Sequence, residues 1–362
     1  MGERGHSFAE YAKKVPGANR PCRASRVFGT VSRDSRKKSP MNRTLKIVLS
    51  VLGAVVGLVL LGVGYLFIAF PKVAAAGALK VQSTPEMVAR GAYLAEHVTA
   101  CLDCHSLRDW KRYSAPPIPG SVGGGGEAFT RAMGFPGNIY SKNVTPTGLA
   151  SWTDGEIARA IAAGVSRDGR ALFPIMPYPY YRHLCDADLN AIVAYLRTLP
   201  AVTRANQQGK LEFPMNLIVR TIPSPPEPWN CPSPGTPEYG KYLTTIAVCA
   251  ECHTQQDHGK HKPGMEFAGG WSFPLPGGGH VTSANITPDP DTGIGNFTRE
   301  EFIAKFKAFD SPNAVTPVSE GGMNTIMPWT VYAGMTTDDL GAIYDHLRKQ
   351  QPVRNVVERF RP

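Results

Sequence analysis

The chain's longest charge-free apolar run lies near its start: no charged residue occurs from Ile47 to Phe70, a stretch of 24 residues. A helix of that length can cross the ~30 Å hydrocarbon layer of a bilayer with some tilt. The apolar core of a cleaved secretory signal is shorter, ~7–15 residues. Residues 47–70 are therefore read first as an uncleaved transmembrane anchor. Ala74-Ala75-Ala76 is a small-residue cleavage site that keeps the signal reading open. Arg43 and Lys46 precede the run and hold the N-terminus on the cytoplasmic side, so everything after Pro71 lies outside.

Beyond the run, apolar positions recur at helical spacing in short segments separated by long polar, Gly- and Pro-rich stretches. Leu189, Ile192, Val193 and Leu196 predict a helix over 186–199, stopped by Pro200. Leu340, Ile343 and Leu347 predict another, capped by Asp338 or Asp339. Thr153 with Glu156, and Thr298 with Glu301, have capping-box spacing and predict two further helix starts. No alternating strand pattern stands out, and the predicted class is all-α and loop-rich.

The same segments occur twice. Arg90-Gly91-Ala92-Tyr93-Leu94 returns as Tyr239-Gly240-Lys241-Tyr242-Leu243, and Asn143-Val144-Thr145-Pro146 as Asn285-Ile286-Thr287-Pro288. Ile175-Met176-Pro177-Tyr178 returns as Ile326-Met327-Pro328-Trp329, followed in each copy by the closing helix. This predicts a duplicated body with units over 84–205 and 235–355. The segment 206–234 between them is Pro-rich and predicts a semi-rigid extended linker.

Each opening segment leads into Cys-x-x-Cys-His: Cys101, Cys104 and His105, then Cys249, Cys252 and His253. This is the attachment sequence of c-type haem. Two thiols one helical turn apart can each add to a vinyl group of one porphyrin, and the next histidine supplies the proximal nitrogen. A single zinc module would need its ligand pairs close in sequence, and a thioredoxin-like dithiol would follow a βαβ pattern. Neither is seen, so two covalently bound haem c groups are expected, with iron held by His105 and His253.

The sixth ligand separates electron carriage from ligand or peroxide chemistry. Met176 and Met327 occupy matching positions before the closing helix, and the proline after each favours extended backbone. They are the expected distal ligands. Met133, Met265, Met323 and Met335 have no counterpart in the other copy. For the Nδ1–H of the proximal rings, the carbonyl of Pro116 or Pro117 is expected to serve His105, and that of Pro263 to serve His253. His258 and His261 read as a solvated loop, and the Gly123–Gly126 run is not a phosphate loop because no Lys-Ser/Thr follows it.

Charge changes the picture in one respect. Residues 1–46 carry 12 Lys/Arg against 3 Asp/Glu, so nearly all of the net charge of +10 belongs to a basic leader. The remainder is close to neutral, so the chain's basic balance does not point to nucleic-acid binding. Residues 1–40 have a disordered composition. Met41-Asn42-Arg43 opens like an export signal, so Met41 is the expected translation start, the alternative being a cytoplasmic tail. Outside the haem motifs and Cys22, Cys185 and Cys231 can pair in an oxidising compartment or remain two packed thiols.

These motifs together resemble the class I cytochrome c fold in tandem. More narrowly, residues 84–352 are similar to the multihaem cytochrome c subunits of membrane-bound alcohol, gluconate and sorbitol dehydrogenases. Those subunits commonly carry three haems, whereas this chain has two Cys-x-x-Cys-His motifs and an N-terminal apolar run. The resemblance implies two tandem cytochrome c domains after an N-terminal transmembrane helix, held at the inner membrane with the haem domains in the periplasm. It implies an electron-transfer protein rather than an enzyme, taking electrons from a periplasmic dehydrogenase and passing them to a quinone pool or terminal oxidase. A dihaem peroxidase and a haem-based small-ligand sensor are the alternatives, and each needs an iron with an open distal position.

Overall fold

A computed structural model describes residues 41–362 apart from His258. Cys22 and the basic leader up to residue 40 lie outside the described residues. The apolar run forms α1 (Arg43–Ala69), which buries none of its residues. Its mean hydropathy over the most apolar window is 2.7, and by length and composition it can cross a membrane. Of the described residues, 41–56 fall in one unit and Gly57–Pro362 in a second.

After an extended stretch, Thr84 caps α2 (Pro85–Tyr93) by accepting from the Met87 N–H. A π-turn over Leu94–Val98 follows. The first Cys-x-x-Cys then forms its own short helix, α3 (Cys101–Cys104). The strands β1 (Ala128–Phe129) and β2 (Gly137–Tyr140) and the turn α4 (Pro146–Leu149) lead to α5 (Asp154–Ala163). Thr153 and Glu156 close the capping box reciprocally, as their spacing predicts. The turn α6 (Tyr178–Tyr181) precedes α7 (Asp186–Leu196).

The intervening segment holds β3 (Lys210–Leu211) and α8 (Met215–Ile218). The second copy then runs through α9 (Pro237–Ile246), α10 (Cys249–His253), β4 (Gln256–Asp257), β5 (Lys260–His261), β6 (Ser272–Pro274) and β7 (His280–Thr282). It continues with α11 (Arg299–Lys307), α12 (Trp329–Tyr332), α13 (Thr337–Leu347) and β8 (Phe360–Arg361). Thr298 and Glu301 form the second capping box. The cap of α13 is Thr336, whose hydroxyl accepts from the Asp339 N–H, rather than Asp338 or Asp339. Those two carboxylates lie in its first turn, where they complement the helix dipole.

The all-α expectation is corrected by three small antiparallel sheets, ordered β1-β2-β3, β4-β5 and β6-β7-β8. Their strands are only two to four residues long. Consecutive strands pair locally in all three, and a later chain return adds a third strand to two of them: Lys210 pairs with Asn138, and Phe360 with Val281.

In each copy the first and last helices cross at a glycine. A Cβ on Gly91 would lie 1.9 Å from the Ala191 carbonyl oxygen, and one on Gly240 would lie 2.2 Å from that of Ala342. Only glycine lets these backbones approach so closely. The two crossings are not independent. One hydrophobic core contains Leu94, Ile192 and Leu196 together with Tyr242, Leu243, Ile343 and Leu347. Cys185 and Cys231 are disulfide-bonded, with Cα atoms 5.2 Å apart. This ties the start of α7 to the Pro-rich stretch, where Trp229 also stacks on His183 at 4.7 Å.

Candidate functional site

Each Cys-x-x-Cys helix is set off from the helix before it by a residue in left-handed backbone. Ala100 has φ 51° and Val248 has φ 60°. The motif is not the C-terminal end of the opening helix: the chain turns sharply and starts a new helix. A β-branched residue at positive φ costs on the order of 1–3 kcal/mol and persists only where its surroundings over-determine it. Here a tyrosine does so in each copy. The Tyr181 hydroxyl donates to the Thr99 carbonyl, and the Tyr332 hydroxyl to the Ala247 carbonyl at 2.6 Å. Both tyrosines sit in the turns that follow Met-Pro, so the segment carrying each methionine is fastened to the corner that aims the cysteines.

None of the four motif cysteines is disulfide-bonded. Burial pushes Cys104, Cys249 and Cys252 up to about 12 and also raises Cys101. It pushes the His253 imidazole down to about 4 and lowers His105 as well. Both shifts favour the neutral ring, the form in which imidazole binds a metal.

The ring orientation is fixed by backbone. His105 Nδ1 lies 2.7 Å from the Lys142 carbonyl oxygen, and His253 Nδ1 lies 2.8 Å from that of Ala284. The proline carbonyls expected for this role are not used, and that of Pro116 accepts instead from the Asp109 N–H. Lys142 and Ala284 immediately precede the repeated Asn-x-Thr-Pro. Asn143 accepts from the Thr145 N–H and hydroxyl and donates to the Val202 carbonyl at 2.7 Å. Asn285 repeats this with Thr287 and Val353, also at 2.7 Å. Each asparagine locks the strand-like segment whose preceding carbonyl faces the histidine.

Close approach behind that segment requires glycine. A Cβ on Gly125 (φ +66°) would lie 2.4 Å from the Lys142 carbonyl carbon, and one on Gly269 (φ +68°) would lie 2.3 Å from that of Ala284. The signal for this was present in the sequence, as the Gly run and the repeated Asn-x-Thr-Pro. The acceptor itself is a main-chain atom, so residue type gave no indication of it.

In the second copy a cavity of about 390 Å³ is lined by Cys249, Cys252, His253 and Met327 with apolar neighbours. That is within the ~300–1,000 Å³ range of small-molecule and cofactor sites. Among the competing methionines, Met335 also lines it but is a fully buried core residue, and Met323 is exposed. In the first copy Met176 and Cys101 pack against the same core as Tyr181. Two thiols, a neutral imidazole with a fixed Nδ1 partner and a thioether fit a covalently held, iron-centred macrocycle. No group of three or more His, Cys, Asp or Glu that could hold a bare metal ion occurs among the described residues.

The copies differ in the middle of the motif. Asp103 is buried 3.5 Å from Arg108, and its carboxyl is raised by burial, an effect opposed by Arg108. Its counterpart Glu251 instead accepts from the Tyr180 hydroxyl at 2.8 Å. His261 also lies 3.0 Å from that hydroxyl.

The chain is similar to cytochrome c subunits of dehydrogenases. It is 29% identical over 283 residues to the alcohol dehydrogenase (quinone) cytochrome c subunit of Gluconacetobacter polyoxogenes, covering 74% of this chain and 56% of that one. It is 27% identical over 292 residues to the gluconate 2-dehydrogenase cytochrome c subunit of Pantoea cypripedii, covering 74% and 60%. It is 30% identical over 203 residues to a dihaem cytochrome c-type protein of Cereibacter sphaeroides, covering 52% and 63%. The chain thus spans somewhat more than half the length of these cytochrome relatives. No protein-family model matches it.

Proposed function

We propose that this protein is a membrane-anchored dihaem c-type cytochrome made of two tandem cytochrome c domains. It carries electrons in the periplasm from a dehydrogenase towards a quinone pool or terminal oxidase. The observation that carries the reading is the convergence of Cys249, Cys252, His253 and Met327 on one apolar cavity, with the same residue types in the same frame in the first copy. In this reading Cys101 and Cys104 tether one haem, and Cys249 and Cys252 the other. His105 and His253 are the proximal ligands, and Met176 and Met327 the distal ones. Bound haem would supply a one-electron couple, and thioether ligation by Met176 and Met327 would raise its potential. The chain's own contribution is to hold each imidazole neutral and oriented and to line the site with apolar side chains. If Met176 and Met327 both ligate, neither site would be open to peroxide or a gaseous ligand.

The names of the similar proteins support a dehydrogenase as donor. Helix α1 supports membrane attachment, and the Cys185–Cys231 disulfide supports an oxidising compartment. Intact mass spectrometry of the protein purified from its native membranes tests the central claim. Two covalent haems are expected, and a single haem or a zinc adduct would overturn it.

A further inference from the structure

After β3 the chain turns through Phe213 and Pro214, forms α8, and continues into a 3-10 turn over Val219–Thr221. Arg220 in that turn reaches the end of α1. Its Nε donates to the Leu66 carbonyl at 3.3 Å, and its Nη2 to those of Phe67 and Phe70 at 3.2 and 3.0 Å. Its guanidinium lies 4.5 Å from the centroid of the Phe67 ring. The last carbonyls of a helix have no partners within it, and a cation there also complements the dipole. The segment is therefore fastened to the place where the apolar helix stops.

Two large apolar side chains of the same segment are exposed: Phe213 is 79% exposed and Ile218 is 44% exposed. Val219 between Ile218 and Arg220 is buried and holds the segment to the body. The end of α1 itself is rich in aromatic residues. Tyr65 and Phe70 meet edge to face at 6.2 Å, and Lys72 Nζ lies 5.1 Å from the centroid of the Phe70 ring. Aromatic rings with Lys or Arg at their edge are the composition of the membrane–water boundary. A lone exposed phenylalanine needs no explanation. Here the phenylalanine belongs to a segment whose own Arg220 makes three hydrogen bonds to the end of a membrane-length helix.

We propose that residues 212–222 form an interfacial foot that lies on the bilayer α1 enters, with Phe213 and Ile218 inserted among the lipids and Arg220 as the collar between foot and anchor. This rests on reading α1 as an uncleaved anchor. The foot gives the body a second attachment, so it cannot swing freely about the extended residues after α1. Insertion by such a segment reaches roughly 5–10 Å into the interface.

The test places photoreactive p-benzoylphenylalanine at position 213 of the full chain in phosphatidylethanolamine–phosphatidylglycerol proteoliposomes. The same probe goes at Phe67 within α1, and at Val356, which is 80% exposed. After irradiation, lipid adducts at 67 and 213 with none at 356 are the expected result. An adduct at 67 without one at 213 overturns the foot and leaves the anchor standing, whereas no adduct at 67 overturns both. Equal lipid labelling at 213 and 356 would mean random collision and count against insertion. A protein adduct replacing the lipid adduct at 213 in native membranes would reassign the surface to a protein partner.

Discussion

The Ser114 hydroxyl donates to the Met327 carbonyl at 2.7 Å, although the two residues are 213 positions apart. The same oxygen accepts from the Trp329 N–H at 3.0 Å, and Asn324 Oδ1 receives the Ser114 N–H at 3.0 Å. A loop of the first copy therefore holds the methionine segment of the second. Ser114 has φ 63°, so the loop is bent to deliver this contact.

Replacing Ser114 should loosen that segment. Ser114→Ala leaves a buried carbonyl and N–H without their partner, at a cost of about 1–3 kcal/mol. Ser114→Gly accommodates the backbone angle but also lacks the hydroxyl, so an equal loss in both variants assigns the effect to the hydroxyl. Denaturant melts measure the stability, and redox titration should show a shift in the second haem only. An unchanged second potential in both variants would mean that the clamp does not position Met327.

The ligand assignment is tested by Met176→His and Met327→His. Each substitution should lower the potential of one haem and leave the other nearly unchanged, because nitrogen in place of sulfur favours the oxidised iron. Met323→His is the exposed control and should leave both potentials near wild type. Met335→Leu should alter core packing by under about 1.5 kcal/mol without removing a ligand. If Met335 rather than Met327 controls the second potential, the matching of the two copies misassigned that ligand.

The asparagine locks make a separate prediction. Asn143→Ala and Asn285→Ala each strand several buried partners and should cost about 3 kcal/mol. Each should also shift the potential of its own haem, since the histidine Nδ1 bond sets ligand basicity. Equal shifts in both haems from either variant would argue against local action through His105 or His253.

Unfolding of the body should be a single transition. The Tyr242 hydroxyl donates to Asp188 at 2.8 Å, and the Tyr93 hydroxyl donates to Asp339, so each copy's first helix bonds the other copy's last. Arg90 pairs with Asp188 at 2.9 Å and Tyr239 with Asp339 at 2.9 Å within their own copies. Calorimetry should show one peak for the haem-bearing body. Tyr93→Phe and Tyr242→Phe should each lower stability by about 1 kcal/mol without splitting it. Two resolved peaks in the wild type would show that the shared core does not couple the copies.

The sequence by itself determined the local features. The apolar run 47–70, the capping boxes at Thr153 and Thr298, the cysteine–histidine motifs and the matched methionines follow from spacing over a few residues, where helix geometry and ligand chemistry leave little choice. It also showed that the same short segments occur twice in the same order. Tertiary structure decided what main-chain atoms do, and residue type does not encode that. The Lys142 and Ala284 carbonyls, rather than proline carbonyls, face the histidines because Asn143 and Asn285 pin those segments against distant carbonyls. The left-handed turns at Ala100 and Val248 exist because tyrosines from later turns hold them. The third strands of two sheets form because chain returns at Lys210 and Phe360 bring unpaired backbone together. The interlock of Ser114 with Met327, and of the tyrosines with Asp188 and Asp339, depends on how two similar units pack, and no periodicity within either unit specifies it.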